Sequence, residues 1–260
     1  MIRLPWIRLV VLWLLLAAPA AAQSDAEQIV AGLSQNAVSI TASFVGSEIL
    51  IYGAVKRESP APTSAPLEVI ITVEGPALPQ IVRRKDRRFG IWINSAEVTI
   101  DRAPSFYAVA STGPLARILS NTEDLRHKIT IPRAIRAVGI AAEAEGAPAF
   151  VEALLRIQTD AGLYNRAEGA VALTEATLFR ADVALPANLI EGDYRVRIFL
   201  TRRGVVVDAL ERRIGVRKEG LERLFTRMAF EQPLAYGLLA LIVAVVAGWG
   251  AAAAFRLIRP

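Results

Sequence analysis

No charged residue occurs between Gln232 and Phe255, and Leu234–Ala254 reads LAYGLLALIVAVVAGWGAAAA. A bilayer core asks about 20 consecutive apolar residues of a helix that crosses it. Arg256 and Arg259 follow directly. This run constrains the chain more than any other feature. It predicts a transmembrane helix over 232–256 and a short cytoplasmic tail, 257–260. Everything before it must then fold beside a membrane.

The N-terminus fits the same picture. Arg3 and Arg8 precede or flank the apolar stretch Leu9–Ala18, Pro19 breaks it, and Ala20-Ala21-Ala22 matches a small-x-small cleavage site. That is the pattern of a secretory signal peptide over 1–22. An uncleaved anchor over Ile2–Ala22 is the alternative. Either way residues 23–231 are expected outside the cytoplasm. Arg256 and Arg259 on the inside obey the positive-inside tendency, whereas Arg217, Lys218, Arg223 and Arg227 oppose it. The export signal decides the orientation: inner membrane, bulk of the chain in the periplasm, C-terminus cytoplasmic.

The net charge of +5 shrinks once the flanks are set aside. Arg3, Arg8, Arg256 and Arg259 account for four of the 30 Lys and Arg residues, leaving 26 against 25 Asp and Glu. An exported, near-neutral domain is not a nucleic-acid binder. There is no cysteine, which excludes disulfides, thiolate metal sites and a cysteine nucleophile.

The exported part reads as mainly β with a helical insertion. Residues 23–35 look like a helical or irregular lead-in. Val38, Ile40, Ala42 and Phe44 alternate with Ser39, Thr41 and Ser43; Gly46-Ser47 and Glu48–Val55 then suggest a hairpin. Ser59–Pro66 is a loop, and Leu67–Glu74 is a β-branched strand. Short strands follow at Ile91–Ile93, Ala96–Ile100 and Ser105–Ser111. Pro114–Lys128 and Pro148–Gly162 have helical spacing. Ala176–Leu185 is a strand. Tyr194, Val196, Ile198 and Leu200 alternate with Arg195, Arg197 and Phe199, predicting one buried and one wet face. Val205–Val216 shifts phase near Asp208, which predicts a bulge. The expected architecture is an Ig-like β-sandwich over 23–216, with the helical insertion at about 114–162. Two small domains split near residue 113 are the alternative. Over 217–231, Leu221, Leu224, Phe225 and Met228 share a helical face, either at the membrane surface or packed on the sandwich.

Candidate chemistry is sparse. His127 is the only histidine and reads as a surface or helix-end residue; no metal site, cofactor or catalytic motif is expected. The densest charge feature is Arg83, Arg84, Lys85, Asp86, Arg87 and Arg88. If extended, Arg83, Lys85 and Arg87 share one face at steps of about 6.6 Å. That suits a row of anions or an acidic surface; a single small oxyanion would need Asn94 and Tyr107 as further donors, with Trp92 and Phe106 as walls. A solvated, charge-protected edge strand is the plainer reading. In the span, Ala240, Ala244, Gly248 and Ala252 recur every four residues, a small-residue stripe that lets another helix approach. A lone anchor is the alternative.

The segments Val82–Asn94 (VRRKDRRFGIWIN), Pro104–Thr112 (PSFYAVAST) and Leu185–Tyr194 (LPANLIEGDY), followed by Tyr236-Gly237, Gly248-Trp249 and Phe255-Arg256, resemble the alphaproteobacterial transmembrane protein family Alph_Pro_TM. The resemblance covers nearly all of the mature chain, in order. It implies a signal peptide, an exported domain and one C-terminal span. It further implies association with a sulfite-exporter-like permease, and it carries over no catalytic residue. The expectation is a non-enzymatic accessory protein whose partners are the membrane and an integral membrane permease or other envelope protein. A membrane-anchored anion-binding or sensor module is the alternative, and an envelope enzyme the weaker one.

Overall fold

The computed structural model describes residues 27–41, 44–58, 60, 65–135, 147–218 and 228–258. The expected signal peptide over 1–22 and most of the amphipathic helix over 217–231 lie outside them; residues 228–231 are helical.

Strands dominate up to residue 218. In chain order they are β1 Gln28–Leu33, β2 Ala37–Ile40, β3 Ser47–Lys56, β4 Glu68–Glu74, β5 Ala77–Arg88, β6 Ile91–Pro104 and β7 Tyr107–Ser111. Four helices follow: α1 Leu115–Ile118, α2 Asn121–His127, α3 Ile131–Ala134 and α4 Ala147–Asp160. Then come β8 Tyr164–Glu168, β9 Ala172–Thr174, β10 Leu178–Leu185, β11 Gly192–Arg202 and β12 Val205–Lys218, and finally helix α5 Pro233–Ile258.

A four-stranded sheet in the order β1-β3-β10-β9 faces a six-stranded sheet in the order β2-β12-β11-β4-β7-β8. Their common core holds Ile49, Ile51 and Phe179 against Val69, Ile71, Val73, Val196, Ile198 and Leu200. Strands from both sides of residue 113 share each sheet. Two pairings, β2–β12 and β7–β8, are parallel, where an Ig-like sandwich is antiparallel. Parallel neighbours need a crossover, and α1–α4 form the one between β7 and β8.

The bulge predicted near Asp208 is present. Leu200 pairs with Asp208 and Thr201 with Val206, so Val207 is the extra residue. Asp208 Oδ2 accepts a 2.7 Å bond from Ile29 N–H. The two sheets are thereby joined along one edge, β1 against β12, and the assembly is a half-barrel.

Several local expectations are corrected. Residues 28–33 are strand, because they pair along Ile51–Lys56 of β3. β2 and β3 form no hairpin; β2 joins β12 in the other sheet. Gly46 serves a close approach instead: a Cβ there would lie 2.9 Å from the Leu185 carbonyl oxygen. The strands expected at Ile91–Ile93 and Ala96–Ile100 are one continuous strand, β6. Residues 114–128 are two helices, not one. Ser120 N–H donates across to the Gly204 carbonyl, which breaks the helix, and its side chain caps α2 by accepting from Glu123 N–H at 3.4 Å. Leu125 is left 54% exposed by this break. The second face of β11 is not simply wet. Phe199 and Ile70 are buried there beneath Leu115, Ile118 and Ile129.

Candidate functional site

β5 and β6 form a separate two-stranded antiparallel sheet. Its root is held by α4: Val82, Val98, Ile100 and Ala103 cluster with Phe150 and Leu154. Beyond the Val82–Val98 pair every residue of β5 is exposed. The seven residues from Val82 to the tip reach about 23 Å at 3.3 Å per residue. This outer part is an arm with its own surfaces.

The tip is a two-residue turn, Phe89-Gly90, between the paired residues Arg88 and Ile91. Both have positive φ, 51° and 86°, as a type I′ turn requires. Such a turn favours Asn or Asp before glycine. A phenylalanine there is sterically costly, and Phe89 is fully exposed at 104%. Ile91 and Trp92 beside it are 64% and 67% exposed.

Register settles which cations share a face. Directly opposed residues on antiparallel strands lie on the same side. Arg87 opposes Trp92 and Lys85 opposes Asn94, so Arg83, Lys85 and Arg87 share a face with both. Arg88 opposes Ile91 on the other face, where Arg84 also lies. A bulge leaves Ser95 unpaired, and its hydroxyl donates to the Arg84 carbonyl at 3.2 Å. Among the described residues only weak internal pairs restrain the cations: Arg83–Glu97 at 3.0 Å and Arg88–Asp86 at 3.7 Å, all four side chains more than half exposed. Cations therefore surround an apolar tip on both sides.

Tyr107 is not part of this surface. It is wholly buried in β7, and its hydroxyl donates to the Ile129 carbonyl at 2.9 Å. Arg197 donates to that hydroxyl at 3.1 Å and to the His127 carbonyl at 2.6 Å. Tyr107 and Arg197 thus secure the C-terminal end of α2, where orphan carbonyls favour a cation. Phe106 is likewise in the core, packed at 6.2 Å between ring centroids against Tyr194. The pocket sketched from Arg83–Arg88, Trp92, Phe106 and Tyr107 is not assembled. The basic stretch lies on the exposed outer part of the hairpin.

The other titratable groups are structural. Burial pushes the Tyr107 hydroxyl up to about 12, and burial raises those of Tyr164 and Tyr194 as well. Each donates to a carbonyl: Ile129, Pro104 and Ile190 respectively. They stay protonated and serve as struts. His127 ends α2, its ring edge-on to Phe199 and its Nε2 3.4 Å from Glu123. Glu27 is buried between Arg57 at 2.6 Å and Arg202 at 2.9 Å. Burial alone would raise its carboxyl; the hydrogen bonds and charges of Arg57 and Arg202 outweigh burial and hold it below the usual carboxylate range. No group of three metal-ligating side chains occurs among the described residues. A cavity of about 450 Å³ lies under the insertion. Its apolar walls include Val109, Leu115, Ile131 and Leu155, and Thr130, Thr159, Asn165 and Arg166 add polar groups.

Helix α5 contains a stretch, Pro233–Ala252, with mean hydropathy 2.1 and no buried residue. It is long and apolar enough to cross a membrane. Ala240, Ala244, Gly248 and Ala252 are all exposed on it, and a Cβ at Gly248 would meet nothing within 4 Å.

Sequence reading found the basic stretch but not the hairpin. The signal was present as a two-residue Phe-Gly turn between extended runs. Phe in place of Asn or Asp before the glycine masks that signal. The Glu27–Arg57–Arg202 cluster had no sequence signal, since its members are 30 and 175 residues apart.

Fold and site together define a mainly β domain with a helical insertion, a projecting cationic arm and one C-terminal apolar helix that fits a membrane anchor. The profile of the family described as "Putative transmembrane protein (Alph_Pro_TM)" matches residues 28–257, and the chain belongs to that family. No curated protein matches it in sequence.

Proposed function

We propose that this is a non-enzymatic accessory protein of the bacterial inner membrane. In this reading the half-barrel is periplasmic, an Ig-like two-sheet scaffold with parallel edges, and α5 docks on an integral membrane permease. The permease class is the one the resemblance implies, a sulfite-exporter-like transporter. One observation carries the proposal: α5 has no buried residue over Pro233–Ala252 and presents Ala240, Ala244, Gly248 and Ala252 in one stripe. Without a hydrophobic driving force between helices in lipid, such stripes favour helix association through close packing. The buried tyrosines support a non-catalytic reading, because their hydroxyls are engaged as donors to backbone carbonyls.

The test is co-purification with the permease in mild detergent. Ala244→Leu with Gly248→Leu should reduce the recovered permease at least about tenfold and leave the β domain's circular dichroism unchanged. Wild type purifying alone, or the variant retaining the permease, would sink the proposal. A second reading, an anion-binding module, is favoured by Arg83, Lys85, Arg87 and Asn94 sharing one face of the arm. Titration of the solubilised full chain with sulfite, sulfate or an organosulfonate tests it. No heat at millimolar concentration would count against it.

A further inference from the structure

The arm holds a residue the fold does not need. Phe89 occupies a left-handed turn position that disfavours a bulky side chain and is 104% exposed. Beside it Ile91 and Trp92 are also uncovered. Immediately behind this apolar tip lie Arg84, Lys85, Arg87 and Arg88, distributed over both faces of the hairpin. Over residues 83–88 five cations stand against one anion, Asp86.

We infer that the β5–β6 arm inserts its tip into the anionic headgroup layer of the bilayer in which α5 is anchored. Phe89, Ile91 and Trp92 enter the boundary between headgroups and acyl chains. The cations behind them meet lipid phosphates. Three features select a lipid surface over an acidic protein. The cations surround the tip, whereas a protein surface docked on the arm would read one face. The arm is a two-stranded hairpin whose outer β5 residues are all exposed. The chain carries its own span, so a bilayer is always at high effective concentration. Aromatic and aliphatic groups backed by Lys and Arg are the composition of interfacial membrane contacts. The inference rests on α5 as a span and stands whether or not a permease is present.

The chain has no cysteine, so single labels are site-specific. The full chain is placed in nanodiscs without permease, carrying an environment-sensitive fluorophore at Phe89→Cys. Lipids bearing a doxyl quencher report contact. Quenching and a blue shift are expected in discs containing phosphatidylglycerol. They should fall in phosphatidylcholine discs and at Val45→Cys, an exposed body site. Reversing Arg84, Arg87 and Arg88 to Glu should weaken insertion by at least about fivefold per cation. A label at Ala244→Cys separately reports insertion of α5, so failure of the span and failure of the arm are distinguishable. An unquenched Phe89→Cys label, or equal quenching in both lipids, overturns the inference.

Discussion

Arginines are concentrated on both β11 and β5, and the two strands use them oppositely. On β11, Arg195 pairs with buried Glu74 at 2.5 Å, Arg197 secures the end of α2, and Arg202 meets Glu27 at 2.9 Å. On β5, Arg84, Lys85 and Arg87 make no ion pair among the described residues, and Arg83 and Arg88 make only exposed ones. The residue type is the same; the neighbours differ. β11 is central in a six-stranded sheet with helices above part of it, so its guanidinium groups must be satisfied locally. β5 has one partner strand and solvent, so its charges remain available. A charged strand is therefore structural or interactive according to what the tertiary fold lays over it.

The sharpest break in this comparison is Glu27→Ala. It removes the carboxylate shared by two largely buried guanidinium groups, Arg57 and Arg202, and such losses cost about 3–5 kcal/mol. Arg87→Ala on the arm should stay within about 0.5 kcal/mol. Urea unfolding of both variants checks the contrast; equal effects would erase it. The same cluster sets an acid limb. Glu27 is held below its ordinary value of 4.5, so its contribution is present above that pH and is lost as pH falls through the lower, folded value. Stability of wild type should therefore drop across this range more steeply than that of Glu27→Gln.

Next in size is Tyr107→Phe. It removes the hydroxyl that bridges Arg197 and the Ile129 carbonyl, with an expected cost of about 1–3 kcal/mol. Quenching of the Phe89→Cys label should be unchanged, because Tyr107 is no part of the arm. A loss of quenching without a loss of stability would return Tyr107 to the binding surface. The smallest effect runs the other way. Phe89→Asn relieves the left-handed turn position and should raise stability by about 0.5–1 kcal/mol. A clear destabilisation, read from the urea midpoint, would mean that Phe89 is packed against its own chain.

Much of the fold was legible where the signal is local. The β-branched run Leu67–Glu74, the phase shift near Asp208 and the alternation from Tyr194 to Leu200 each appear as strand, bulge and buried face. Partner choice was not legible. The pattern Val38–Phe44 and Glu48–Val55 is equally compatible with a hairpin and with strands in different sheets. The choice lies with β12 and β10, more than 120 residues away in the chain. Of the candidate site, the common face of Arg83, Lys85 and Arg87 followed from a period of two. Trp92 and Asn94 joined it through the register of β6. Tyr107 did not, since five consecutive buried residues in β7 place it in the core.

The sequence by itself determined that this chain ends in an apolar helix long enough to span a bilayer, that the preceding part is mainly β, and that one short stretch concentrates positive charge. Hydropathy, period and charge are properties of neighbouring residues, so they survive without knowledge of the fold. Only the tertiary structure decided which cations are struts and which are free, that an exposed aromatic tip sits among the free ones, and that two sheets close into a half-barrel through Asp208. Those outcomes depend on groups brought together across as many as 179 residues. Burial and desolvation at such meetings are set by the whole packed chain, and no local pattern encodes them.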